Sequence, residues 1–397
     1  MNKKYDIVVI GSGISGMSLA YYCARDQMNV LVLEKNNNPG GSFTTVDSNN
    51  YWIEMGAHTM YNSYGNLIDV IEGCGLAEDI IQRKKVPYKA YRDGKISSVI
   101  SQFSIPSLLF SLPSLFRIKK ENQTVESYYS RIVGKKNYRK FFQYMFNAVP
   151  SQTTNDFPAD ILFKKRNRRK DILKSFTLKK GIKSIIEAIS KQPGIDILTG
   201  ANISSITMNG DSYHIKTETN DIYEAEYLAL ASTVNAAADL TRLLIPGISE
   251  KISKINYVHT DSVGITIEKQ DVNIKEVAGI IGINEDFYSV VSRDVVEDNK
   301  YRGFVFHFKP GKLDNPAKIE FICKVLSISK DSIVDTYYIQ NTVPSFKLGH
   351  ESIVKEMESL LEGKKLLLTG NYFSGMAIED CVSRSRSEFD RLQKMRN

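Results

Sequence analysis

An α/β fold with a parallel, doubly wound sheet and a second, inserted lobe is what this sequence predicts, on three observations. Residues 6–10 are a short apolar run rich in β-branched side chains, followed by a glycine-rich turn, a helical stretch and a second apolar run at 29–33. Further apolar runs far downstream, at 227–232 and 366–369, read as buried strands. Between them, 86–100 and much of 250–340 alternate as antiparallel strands do.

The first unit is read in order. Gly11, Gly13 and Gly16 form G-x-G-x-x-G. The first glycine permits a tight turn, the second lets a pyrophosphate approach the backbone, and the third lets the helix pack against the strand. A helix over 17–25 then aims its first amides at that pyrophosphate. The strand at 29–33 delivers Glu34, an acid placed for a ribose 2′-hydroxyl. A lone glycine motif is weak, but strand, turn, helix, strand and acid together define a Rossmann-type dinucleotide site. Its residues are Gly11, Ser12, Gly13, Ile14, Ser15, Gly16, Glu34 and Lys35. Glu34 in place of an arginine argues against a 2′-phosphate, so FAD or NAD fits better than NADP.

The next residues, Pro39, Gly40, Gly41, Ser42, Phe43, Thr44 and Thr45, resemble the second fingerprint of the FAD-dependent amine oxidase and protoporphyrinogen oxidase superfamily, with Ser42 where those proteins usually carry an arginine. Gly56, Ala57 and His58 resemble the segment that returns to the flavin; UDP-galactopyranose mutases carry a similar Gly-Ala-His. Ile203 stands where the family offers backbone to the adenine. Gly370, Asn371, Tyr372, Gly375, Met376 and Ala377 resemble the last FAD motif, and Gly349-His350 resembles the protoporphyrinogen oxidase branch. The resemblance covers both ends of the chain and the joint near Ile203.

It implies non-covalently bound FAD in a Rossmann-type FAD-binding domain (GR2-like), with an inserted α+β substrate domain and a helical sub-lobe. The expected division is 1–84, 181–248 and 341–397 for the FAD-binding domain, 85–105 and 249–340 for the substrate sheet, and 106–180 for the helical lobe. It also implies an FAD-dependent oxidoreductase that removes hydride from a C–N or C–C bond. Alternatives are a biosynthetic flavin amine oxidase and a non-redox mutase-like flavoenzyme. His58 and Tyr372 are the candidate catalytic helpers, although a hydrogen-bonded structural role fits His58 equally. Amides at Met376 and Ala377, with the positive end of their helix, are placed to stabilise negative charge at flavin N1 and O2.

Other elements follow from local signals. A helix is expected over 67–74, a hairpin around Asp93-Gly94, helices over 124–148, 182–189 and 236–244, and strands over 195–203, 206–208 and 213–217. The stretch 105–120 is apolar with a basic end and is broken by Pro106 and Pro113; it reads as a roof over the substrate pocket or as a membrane-surface segment. Lys164, Lys165, Arg166, Arg168, Arg169 and Lys170 make a basic run, either a solvated face or a rim that attracts an anionic substrate or lipid headgroups.

Composition is that of an ordinary globular protein: 397 residues, 42% hydrophobic, 24% charged, net charge +7. The chain carries no nucleic-acid module, so nucleic acid is not an expected partner. The expected partners are a small-molecule substrate, with an anionic one as one reading, and oxygen or another electron acceptor. No second G-x-G-x-x-G is present to receive NAD(P)H. The four cysteines and five histidines are scattered without metal-ligand spacing, so no metal site is expected. Without a signal-like start or a long apolar run, the expected location is cytoplasmic, with peripheral membrane contact left open.

Overall fold

The computed structural model describes residues 3–111 and 118–396. Strand Lys3–Ile10 lies at the centre of a sheet whose order is Ile195–Leu198, Val30–Leu33, Lys3–Ile10, Ile222–Leu230, Ser212–Thr217, Ile203–Asn209. Strand Leu366–Leu368 also pairs with Ile222–Leu230, in parallel. The four strands from Ile195–Leu198 through Ile222–Leu230 run parallel, in the register Ile7 to Val30 and Ile7 to Tyr227. Val30 to Leu33 are buried throughout, because helices cover both faces. One face packs on helices Ile14–Arg25, Gly65–Gly73, Lys183–Ser190 and Ile378–Arg396 through Ile7, Val9, Leu19, Ile68 and Ile185. The other packs Val8, Leu31 and Leu228 on helices Val234–Thr241, Pro246–Ser253 and His350–Leu361. Each such side chain, once buried, contributes roughly 1.5–3 kcal/mol, and these two layers hold the glycine turn in place.

The second sheet has the order Ile333–Ser345, Asn256–Glu268, Tyr301–Phe308, Phe287–Ser292, Gly279–Gly282, Tyr88–Arg92, Lys95–Ser98. It is antiparallel except where Gly279–Gly282 meets Tyr88–Arg92. The hairpin at Asp93-Gly94 forms as its turn residues predict, with φ of 50° and 78°. Strand Tyr51–Glu54 and the Met55 that follows it pack on this second sheet: a side chain at Gly303 would strike Ile53, and one at Gly264 would strike Met55.

Three local expectations differ from the structure. The strand expected over 195–203 ends at Leu198, because Gly200 turns with φ of 68°, and the next strand is continuous over Ile203–Asn209. The helical stretch over 124–148 is broken at Gly134, φ 84°, and passes through a wider turn at Tyr138–Phe142. Helix Asn315–Leu326 stands where only strands were expected; Asp314 caps it by accepting from the Ala317 amide at 2.9 Å, and Ile319 and Ile322 pack on Phe287 and Phe306 of the sheet. Of the apolar stretch 105–120, Ile105–Ser111 is helical, whereas 112–117 lies outside the described residues.

Candidate functional site

The glycine turn has the shape its spacing predicts. A side chain at Gly16 would meet the Gly11 carbonyl oxygen at 1.9 Å, so helix Ile14–Arg25 sits directly on the strand. At Gly13 a side chain would meet nothing within 4 Å, and no side chain caps the helix there. The first-turn amides, those of Ile14, Ser15 and Gly16, therefore have no side-chain cap. The second glycine pair closes over the same space: a side chain at Gly41 would lie 3.2 Å from the Gly13 Cα. An uncapped helix end roofed by backbone is a cradle for a pyrophosphate.

Glu34 is buried beside it. Its Oε2 accepts from the Ser12 amide at 3.0 Å and the Ser12 hydroxyl at 2.6 Å, and Oε1 accepts from the Asn36 amide at 2.9 Å. The Gly40 amide in turn donates to Ser12 Oγ at 3.2 Å. One carboxylate thus joins both glycine turns, and its remaining lone pairs can still receive a ribose hydroxyl. Lys35, the next residue, is exposed. Segment 200–203 approaches the same end of the cleft, since the Ala201 amide donates to the Glu34 carbonyl at 2.9 Å. Ile203 is partly buried there and pairs with Thr217.

At the other end, Gly56 and Ala57 lie against Ser42. The Ala57 amide donates to the Ser42 carbonyl at 3.1 Å, which leaves no room for a side chain at Gly56. His58 follows. Its Nδ1 lies 3.1 Å from the Gly56 carbonyl, which can only accept, so Nδ1 carries the proton and Nε2 keeps a lone pair. Burial first, and the Arg83 guanidinium second, pull His58 down to about 4. It is a neutral imidazole at ordinary pH.

The last motif is more heavily engaged than its sequence suggests. Gly375 has φ of 151°, and a side chain there would strike Asp380 Oδ2 at 2.5 Å. That carboxylate accepts from the Ala377 amide at 3.3 Å, so of the two amides expected at the flavin, Ala377's has a partner within the chain. Lys164 at 3.2 Å and Arg166 at 2.7 Å neutralise Asp380, and Lys164 also donates to the Ser374 carbonyl. Tyr372 is fully enclosed in the core, its ring against Gly370, and its hydroxyl has no partner among the described residues. Burial holds that phenol well above its ordinary value. The structure therefore places the Tyr372 ring in the core, packed against Gly370. Asn371 and Met376 are partly exposed in the same turn. His350 supports it from behind, Nε2 donating to the Phe373 carbonyl at 2.8 Å.

Residues that sequence reasoning did not single out lie beside His58. A narrow cavity of about 20 Å³, room for one water, is walled by Ile53, Val291, Val295 and Val305 and also takes in His58, Arg83, Thr177 and Arg293. Glu54 borders it, with Oε1 accepting from the Ile182 amide at 2.8 Å and Oε2 from the Thr45 hydroxyl at 2.7 Å; burial pushes Glu54 up to about 7. His307, in the second sheet, is held by Ser262 at 2.8 Å, and burial pulls it down to about 3, with a smaller contribution from His58. No local motif marks these residues; five separate segments, around positions 54, 83, 177, 293 and 305, bring them together.

The cradle, the ribose acid and the pair of glycine turns fit FAD. The chain belongs to the flavin containing amine oxidoreductases, whose family model matches residues 14–278, and it is an FAD-dependent oxidoreductase. It is 22% identical to the chloroplastic protoporphyrinogen oxidase of Nicotiana tabacum, over 96% of this chain and 84% of that one. Among solved structures, one from Exiguobacterium sp. 255-15, provisionally assigned as a protoporphyrinogen oxidase, matches with a TM-score of 0.79 at 16% identity over 99% of both chains. A reduced UDP-galactopyranose mutase matches with a TM-score of 0.74 at 15% identity, over 98% of this chain and 96% of that one.

Proposed function

We propose that this enzyme removes hydride from a C–C or C–N bond of a small molecule, in the manner of the protoporphyrinogen oxidase branch. The observation that carries the proposal is the cavity at His58: apolar walls, a neutral imidazole, and no nucleophile poised in it. FAD, when bound, supplies the hydride acceptor. The chain's part is orientation and exclusion of water: Ile53, Val291, Val295 and Val305 keep the cavity apolar, and His58 Nε2 offers a lone pair to a substrate N–H or O–H. With a value near 4 it is a weak base, so it orients a proton more readily than it removes one. The positive end of helix Ile378–Arg396 lies at the last motif, and of the two carboxylates in its first turn, Glu379 and Asp380, Lys164 and Arg166 neutralise Asp380.

Within the branch, the cavity's charge selects against an amine. Arg83 and Arg293 both line it, and Glu54 is half protonated near neutral pH, so a substrate ammonium would meet net positive charge. One specific observation supports a second reading, a non-redox flavoenzyme that works reduced: the Gly56-Ala57-His58 segment, together with the likeness to the reduced mutase. Anaerobic addition of protoporphyrinogen and of a panel of amines, followed by flavin absorbance, tests the proposal. Bleaching by a reduced carbon substrate without prior treatment is expected. Turnover that begins only after dithionite would favour the second reading instead.

A further inference from the structure

Strand Ile333–Ser345, 13 residues long, is one edge of the second sheet and pairs there with Asn256–Glu268 alone. The opposite edge, Lys95–Ser98, has only 4 residues. The Pro344 carbonyl accepts from Gln152 Nε2 at 2.9 Å, so it points away from the sheet. Antiparallel strands alternate their bonding side residue by residue, so the amides and carbonyls of Thr336, Tyr338, Gln340 and Thr342 point outward as well. Among the described residues no other segment bonds to that outward row.

Protein edges are ordinarily blunted by shortness, lysines, prolines or bulges. This strand has no lysine or arginine and one charged side chain, Asp335; its bulge lies near one end and its single proline, Pro344, near the other. Its two faces also differ. Tyr337 and Ile339 pack with Val46 and Ile53, whereas Val334 and Tyr338 are 42% and 48% exposed. A groove of about 400 Å³ lies beside them, lined by Pro316 and Ile319 of helix Asn315–Leu326 and by Thr336 and Tyr338.

We propose that Ile333–Ser345 is a homodimer interface, in which two copies pair antiparallel about a two-fold axis at Ile339 and join their second sheets. The strand is complementary to itself in that register. Thr336 falls opposite Thr342 and Tyr338 opposite Gln340, so each outward amide meets an outward carbonyl. The two Tyr338 rings become diagonal neighbours, within reach of each other. Pro344, with no amide to give, falls opposite Val334, beyond the bonded row. At the ends, exposed Asp331 of each copy comes opposite Lys347 of the other, which at present has only a surface pair with Asp156. Opposite charges therefore face each other, and no like charges do. The groove gives side chains of the second strand room on the exposed face.

The test is sedimentation velocity of the FAD-loaded protein over a range of concentrations. A dimer is expected for the wild type. Tyr338→Lys and Tyr338→Glu each bring like charges together at the axis, and each should weaken the dimer by roughly tenfold or more. An equimolar mixture of the two should dimerise again, which damage to either fold would not produce. A monomeric wild type, a dimer that neither variant weakens, or a mixture that stays monomeric would overturn the proposal. If the charged variants do not fold, the double variant Thr336→Cys/Thr342→Cys decides. Mild oxidation should link it into a covalent dimer on a non-reducing gel, while Thr336→Cys alone should stay unlinked. No covalent dimer, or equal linking of the single variant, would also overturn it.

Discussion

Glu34 is the residue on which the nucleotide end depends, since it accepts from both Ser12 groups and from Asn36. Glu34→Ala strands those donors and removes the ribose partner, so FAD affinity should fall by about 1–3 kcal/mol, the scale for a stranded hydrogen-bond partner. Fluorescence titration of the apoprotein with FAD measures it, and an unchanged dissociation constant would remove Glu34 from the site. The titratable groups at the cavity make a second prediction. His58 at about 4 and His307 at about 3 lie below the value of roughly 6.5 for an unfolded histidine. The unfolded chain therefore binds more protons, and stability present above pH ~6.5 should be lost as the pH falls through 4. Glu54, pushed up to about 7, acts in the opposite sense: its contribution is present at low pH and is lost as the pH rises through 7. Thermal melts against pH should show Glu54→Gln gaining stability above pH 7 relative to wild type. A melt profile parallel to wild type over the whole range would contradict this.

Two elements carry predictions of their own. The substrate sheet holds Arg302 and Asp294 as a buried pair, with Arg302 Nε 2.9 Å from Asp294 Oδ1 and a further donation to the Ile274 carbonyl at 2.6 Å. Arg302→Met leaves a buried carboxylate without its partner and should cost about 3–5 kcal/mol in denaturant unfolding, with partial recovery in the Arg302→Met/Asp294→Leu double variant. No recovery would show that the backbone contacts of Arg302, not the ion pair, are what matter. In the basic run, Lys164 and Arg166 are committed to Asp380, and Arg169 to Glu72 and Asp171. Lys165, Arg168 and Lys170 remain exposed, as do Ile105, Leu109 and Phe110 of the helix Ile105–Ser111. If these form a surface for acidic lipid, charge reversal at Lys165, Arg168 and Lys170 should abolish sedimentation with anionic vesicles at low salt, an effect that fades as salt rises. Equal sedimentation of wild type and variant would leave the run a solvated face.

For the whole molecule, the prediction is that FAD is held without a covalent bond. Covalent attachment through Cys381, the cysteine beside the last motif, is disfavoured because burial pushes that thiol up to about 12 and keeps it protonated. Acid denaturation should release free FAD into the supernatant; yellow colour retained in the pellet would contradict non-covalent binding. Without a second G-x-G-x-x-G, anaerobic NADH or NADPH should leave the flavin spectrum unchanged. Rapid bleaching by either would make the enzyme a reductase. Among the described residues no helix is long and apolar enough to cross a membrane.

What the sequence determined by itself was everything that depends on neighbours along the chain. Gly11, Gly13 and Gly16 make their turn through backbone sterics, the apolar runs announce buried parallel strands, and Asp93-Gly94 closes its hairpin. The same local logic marked Glu34 and the Gly40-Gly41 turn, and both join the cradle. Helix Asn315–Leu326 was hidden because its apolar face is read only against the sheet it covers. Tyr372 illustrates the limit: its motif points to the flavin, but its ring is taken by the core behind Gly370. The cavity was beyond sequence reasoning altogether. Arg83, Thr177 and Arg293 lie on three segments far apart in the chain, and an arginine in a sequence does not reveal whether a carboxylate will meet it. Tertiary packing decided that, by burying Arg83 and half-burying Arg293 beside His58 with no ion pair to either among the described residues.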